Sequence, residues 1–152
     1  KTLWLFMLST EGASIITGAT QHRQALQDYA KHFGNAFQII DDILDYSSDA
    51  ATLGKNIGDD LLEGKPTLPL IAAMQRCHGE DLALIRKSIQ TGGLADLDRV
   101  IALVHDSGAL AYCQQRANEE TQRALEAIGQ LPASVYRDGL ANLAQLALNR
   151  LS

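Results

Sequence analysis

Between Thr20 and Tyr46 the apolar residues Leu26, Tyr29, Phe33, Ala36, Ile40 and Ile43 recur in steps of three and four, with Leu44 beside the last. That interval is the repeat of one helix face and does not match the two-residue alternation of a half-buried strand. Similar spacing returns along the rest of the chain, and no convincing strand alternation does. The sequence therefore predicts an all-α fold, a helical bundle forming a single domain over residues 1–152. Thr20 reads as the cap of a helix over residues 21–46, after a first helix over 1–18. Further helices are expected at 66–77, 80–90, 94–105, 109–128 and 134–151. Pro66 is placed in the first turn of its helix, where a missing N–H does no harm. Thr91-Gly92-Gly93, Ser107-Gly108 and Gly129 to Pro132 supply the breaks. A composition 46% hydrophobic but only 5% aromatic suits close-packed aliphatic helices.

From Ser47 to Lys65 the periodicity fails. Gly54, Gly58 and Gly64 punctuate a polar segment that reads as a long functional loop with one short helical turn. The charge is concentrated close by. Asp41, Asp42, Asp45, Asp49, Asp59, Asp60 and Glu63 face only Lys55 and Lys65, so the segment 41–65 carries the whole formal net charge of −5. An acidic chain of this kind is a poor nucleic-acid binder, which needs a basic face to replace phosphate counterions. Cys77 and Cys113 have no CxxC or Cys/His ligand spacing and read as reduced core cysteines of a cytoplasmic protein. His22, His32, His78 and His105 stand apart, without triad or ligand spacing. No Walker loop or Gly-x-Ser-x-Gly elbow occurs. The apolar opening "LWLFML" falls far short of the ~20 residues that span a bilayer.

The stretch "FQIIDDILDY", Phe37 to Tyr46, sets three aspartates within a strongly apolar helix. On an ideal helix of about 100° per residue, with Gln38 at zero, Asp41, Asp45 and Asp42 fall near about −60°, −20° and +40°. All four side chains share one face. A solvated face normally mixes signs, because like charges three or four residues apart repel by a few tenths of a kcal/mol. The acids also occupy the last turns of the helix, where the macrodipole disfavours anions by about 0.3–1 kcal/mol each. A divalent cation would relieve both penalties. Carboxylates without His or Cys suit Mg²⁺, or Mn²⁺, and Mg²⁺ completes its shell with water and substrate phosphates. Lys55 and Lys65 then become point charges for those phosphates. The competing reading is an ordinary helical scaffold whose aspartates face solvent.

"FQIIDDILDY" resembles the second aspartate-rich motif, FQxxDDxxD, of the trans-isoprenyl diphosphate synthases. "LGKNIGDDLLEGKPTLPL" is similar to the segment that follows it, nearest to bacterial long-chain synthases of the octaprenyl type. Lys1-Thr2 resembles the start of the family's Lys-Thr motif. The resemblance implies the C-terminal part of the isoprenoid synthase fold, with its site in a central cavity. It implies Mg²⁺-dependent condensation of isopentenyl diphosphate with an allylic diphosphate, giving a long-chain polyprenyl diphosphate of the kind used for quinone side chains. Carried over by position, Asp41 would be the principal metal carboxylate, with Asp42 and Asp45 supporting the metal directly or through its waters. Lys1 and Lys55 would contact the allylic diphosphate, and Lys65 is the second loop lysine. Thr2 and Gln38 would lie near the reacting allylic carbons. The released diphosphate would accept the product's proton, so no side-chain base is required. A homodimer is expected for the complete protein, with at most peripheral membrane contact through the product.

The departure from the family pattern is the absence of a first DDxxD and its arginine pair. Asp59-Asp60, Glu80-Asp81 and Glu119-Glu120 do not fit that pattern. The chain therefore resembles the C-terminal half of a synthase, inactive on its own and exposing an apolar face. A non-catalytic partner subunit of the same family is the alternative.

Overall fold

A computed structural model describes residues 2–47, 58–92 and 94–151, and among them there are helices and turns but no strand. The helices are α1 (Thr2–Ile16), α2 (Arg23–Leu44), α3 (Asp59–Leu62), α4 (Leu68–Arg76), α5 (Gly79–Thr91), α6 (Leu97–Asp106), α7 (Ala109–Gly129) and α8 (Val135–Leu148). The all-α expectation holds, and the single helical turn expected before Lys65 is α3. Two local assignments are corrected. Thr20 opens a short 3₁₀ turn, Thr20–His22, rather than capping α2. Pro66 lies outside α4, and the proline in the first turn is Pro69. The residue before a proline avoids helical backbone, and Pro66 follows Lys65 into extended chain. At α8, Ser134 is the cap, its hydroxyl accepting the Arg137 N–H at 3.2 Å.

The chain divides into two compact units, Lys1–Ile40 with Arg116–Ser152, and Asp41–Gln115. In the first unit Tyr29, Phe33, Ala36 and Ile40 of the predicted α2 stripe are buried, joined by Ala30, while Leu26 at its start is only half-buried; Ala117, Ala124 and Ile128 of α7 and Ala144 of α8 complete this core. The Tyr29 and Phe33 rings stack at 5.6 Å, and Phe6 of α1 meets Phe33 edge-on at 4.9 Å. Gly34 permits that close approach, since a Cβ there would stand 2.9 Å from Leu3 Cδ1. The Tyr29 hydroxyl donates to the Leu140 carbonyl at 2.8 Å, which ties α2 to α8. Trp4, Leu8 and Ile15 on α1, with Val135 and Tyr136 on α8, are exposed large apolar residues.

One polar group in this unit is buried with full support. Glu120, 5% exposed, accepts from His32 Nδ1 and Asn35 Nδ2, both at 2.9 Å, and from Arg123 at 2.7 Å. Burial pushes its carboxyl up, but those bonds and the His32 and Arg123 charges outweigh it and hold the group below its ordinary value.

In the second unit α4, α5 and α6 pack on one another, and α3 lies against α5. Leu61, Leu70, Ala73, Ile85, Val100, Val104, Ala109 and Cys113 are among its fully buried apolar residues. The Arg76 guanidinium sits 4.8 Å above the Tyr112 ring. Among the described residues no helix is long and apolar enough to cross a membrane.

Candidate functional site

The last turn of α2 brings its acids into the second unit, where they meet two helix N-termini. Asp42 is 9% and Asp45 3% exposed, while Asp41 is half-exposed. Two of the three carboxylates are therefore withdrawn from solvent. Asp42 Oδ2 accepts the Leu68 N–H at 3.4 Å, at the first residue of α4. Asp45 Oδ2 accepts the Asp60 N–H at 3.2 Å, in the first turn of α3. Part of the charge that the sequence left unexplained is thus answered by backbone donors and by the positive end of the α4 dipole.

Asp45 also fixes the backbone. Its carbonyl accepts the Gly58 N–H at 2.9 Å, which brings the chain after residue 57 back against the end of α2. Gly58 caps α3 at φ +81°, and a Cβ there would meet Leu97 Cδ1 at 2.5 Å. Glycine suits both the left-handed backbone and the space.

Lys65 pairs with Asp60 at 2.9 Å and with Glu63, and is itself 54% exposed. Bonds to Glu63 and then Asp60 hold its ammonium above the ordinary lysine range, so it is cationic at any physiological pH. Lys65, Asp60, Asp45 and the α3 N-terminus therefore form one connected array. Lys1 and Lys55 lie outside the described residues. Thr2 is half-buried at the start of α1, and Gln38 is exposed one turn before Asp41 and Asp42 on α2. Both belong to the first unit.

Beneath the acids lies Tyr46, 1% exposed, whose carbonyl accepts from His105 Nε2 at 2.8 Å when that nitrogen carries the proton. Burial raises its phenol well above the ordinary value; the Asp45, Asp60 and Asp42 charges add to the effect, and the Thr67 hydroxyl opposes it. Sequence periodicity showed neither this tyrosine nor Thr67 as part of the site. Cys113 is buried and pushed up to about 11, chiefly by burial, with the Asp42 charge adding and Arg76 opposing. Cys77 and Cys113 are both free; Cys113 is buried as a core cysteine should be, whereas Cys77 is only half-buried.

Among the described residues no three His, Cys, Asp or Glu side chains converge as a ready-made metal cage. The donor chemistry nevertheless fits a hard cation that takes one or two carboxylates and fills its shell from water and phosphate.

Comparison with known proteins identifies the family. The family model described as polyprenyl synthetase matches residues 1–106. An all-trans-nonaprenyl-diphosphate synthase of Rhodobacter capsulatus is 64% identical over 151 residues, covering 99% of this chain and 46% of the relative. An octaprenyl diphosphate synthase of Haemophilus influenzae is 46% identical over 152 residues, again 99% of this chain and 46% of the relative. Among solved structures, a polyprenyl synthase from Caulobacter crescentus, complexed with calcium and isoprenyl diphosphate, superposes with a TM-score of 0.86. It is 36% identical, covering 97% of this chain and 46% of that one. The chain spans about half the length of the curated relatives it matches. The chain belongs to the polyprenyl synthetase family.

Proposed function

We propose that the chain supplies the second aspartate-rich motif of a Mg²⁺-dependent prenyltransferase. That enzyme joins isopentenyl diphosphate to an allylic diphosphate and releases diphosphate. The observation that carries the reading is the half-exposed Asp41, set beside two buried carboxylates that are themselves fixed by helix N-termini. Carboxylates fixed as Asp42 and Asp45 are would preorganise the site for a cation, which is where electrostatic catalysis gains most.

A bound Mg²⁺ would be held through Asp41, with Asp42 and Asp45 behind it, and would neutralise negative charge developing on the leaving diphosphate. Lys1 and Lys55 would contact that diphosphate. Lys65, tethered to Asp60 and Glu63, would hold the same loop array and add positive field. Thr2 and Gln38 would line the allylic end. The allylic C–O bond breaks, a C–C bond forms to the alkene of isopentenyl diphosphate, and the proton lost passes to the released diphosphate. A dry helical wall protects the cationic carbon meanwhile.

The long-chain product follows relatives named for octaprenyl and nonaprenyl diphosphates. We further propose a homodimeric, cytoplasmic enzyme that touches membrane only through its product. Full-length protein incubated with Mg²⁺, isopentenyl diphosphate and geranyl diphosphate should give chain-extended diphosphates by mass spectrometry. A lack of extension would favour the non-catalytic subunit.

A further inference from the structure

Glu120 is a costly residue to bury. Replacing a buried charged group by an apolar one of similar volume is often neutral or stabilising, so stability alone does not call for a carboxylate here. What an aliphatic side chain lacks is direction. Glu120 Oε1 accepts from Arg123 of its own helix at 2.7 Å, which leaves Oε2 for α2. Oε2 takes two donors there, His32 Nδ1 and Asn35 Nδ2, both at 2.9 Å. An ionised carboxylate only accepts, so His32 carries a proton on Nδ1. His32 and Asn35 lie one turn apart and are neighbours on the helix surface. A single oxygen therefore grips a full turn of α2.

That turn directly precedes Gln38. With Gln38 at zero and about 100° per residue, Asn35 stands at about +60° and His32 at about +120° on α2. The buried stripe through Tyr29, Phe33, Ala36 and Ile40 centres at about 180°, on the opposite side, and Gln38 is exposed. Apolar packing is non-directional and fixes which face is buried more firmly than the angle of the face turned away. Hydrogen bonds are directional. We propose that Glu120 is a positioning residue for Gln38: its paired bonds to His32 and Asn35 fix the rotation of α2 about its axis, and with it the direction in which Gln38 projects. The consequence for prenyl transfer rests on the functional reading above, in which Gln38 lines the allylic end. A displacement of about 1 Å at reacting groups can cost about a hundredfold in rate, so a small turn of α2 is enough to matter.

The test uses full-length protein with Mg²⁺, isopentenyl diphosphate and geranyl diphosphate. Glu120→Gln and the milder Asn35→Ala should each lower kcat/KM for geranyl diphosphate about tenfold, within what a small displacement can cost. In a Gln38→Ala background the same substitutions should lower it no further, because the residue they act through is gone. A role confined to stability predicts losses that add to that of Gln38→Ala. Additive losses, or no loss at all from an active wild type, overturn the proposal. Alanine is the best helix former, so Asn35→Ala keeps α2 intact where Glu120→Gln does not fold. A second readout needs no turnover. The side-chain amide signal of Gln38 in heteronuclear NMR spectra, assigned by its loss in Gln38→Ala, should shift in Asn35→Ala. If it shifts while wild type extends no substrate, the clamp stands and the prenyltransferase reading fails. If wild type extends its substrate and the signal stays in place, that reading stands and the clamp fails.

Discussion

The Asp60 N–H donates to the Asp45 carboxylate at 3.2 Å, and the Asp45 carbonyl receives the Gly58 N–H at 2.9 Å. One residue at the end of α2 therefore holds both the entry and the first turn of α3. Asp45→Ala removes a buried acceptor and leaves the Asp60 N–H without it, at a cost of about 1–3 kcal/mol. Asp45→Asn keeps an acceptor oxygen and should lose less. Urea midpoints of the two variants check this. Equal losses would contradict a capping role.

Gly58 should tolerate no side chain. Its φ of +81° lies in the left-handed region, and a Cβ would meet Leu97 at 2.5 Å. Gly58→Ala is expected to lower stability by about 1–2 kcal/mol from the backbone alone. The Leu97 clash adds to that unless the leucine tip moves. Gly58→Ala/Leu97→Ala should then show a cost lower than the sum of the single variants, measured by thermal unfolding.

Glu120 sets a pH dependence of its own. Its carboxyl is held below the ordinary 4.5 in the folded chain. The stability it contributes is present above that unfolded value and is lost as pH falls through the lower folded value. Urea unfolding between about pH 6 and about pH 3.5 should show this loss, and Glu120→Gln should flatten the slope. At neutral pH Glu120→Ala should cost about 1.5–3 kcal/mol, the range for hydrogen bonds to a charged group. An unchanged slope in Glu120→Gln would remove Glu120 from the pH response.

What could be read beforehand divides along physical lines. The helices were legible because each buries a stripe whose period is local, and Tyr29, Phe33, Ala36, Ile40 and Ile43 of α2 are buried as their spacing demanded. The break at Ser107-Gly108 likewise falls between α6 and α7. The Pro66 assignment failed because a proline near a helix start fits several registers, and Pro69 takes the first turn instead. The acidic face was legible as a charge anomaly, but its partners were not. Leu68 and Asp60 answer Asp42 and Asp45 with backbone N–H groups, which no side-chain pattern reveals. His32 and Glu120 are 88 positions apart. Such a pair has no signature in one sequence, because only the packed fold brings it together.

The central claim is that Asp41 anchors Mg²⁺ for a diphosphate, and calorimetric titration with Mg²⁺ and inorganic diphosphate tests it most directly. Wild-type full-length protein should bind saturably. Asp41→Ala should lose at least about tenfold in affinity, or ~1.4 kcal/mol, while its helical circular dichroism is unchanged. An Asp41→Ala titration that superposes on the wild-type curve would contradict the account.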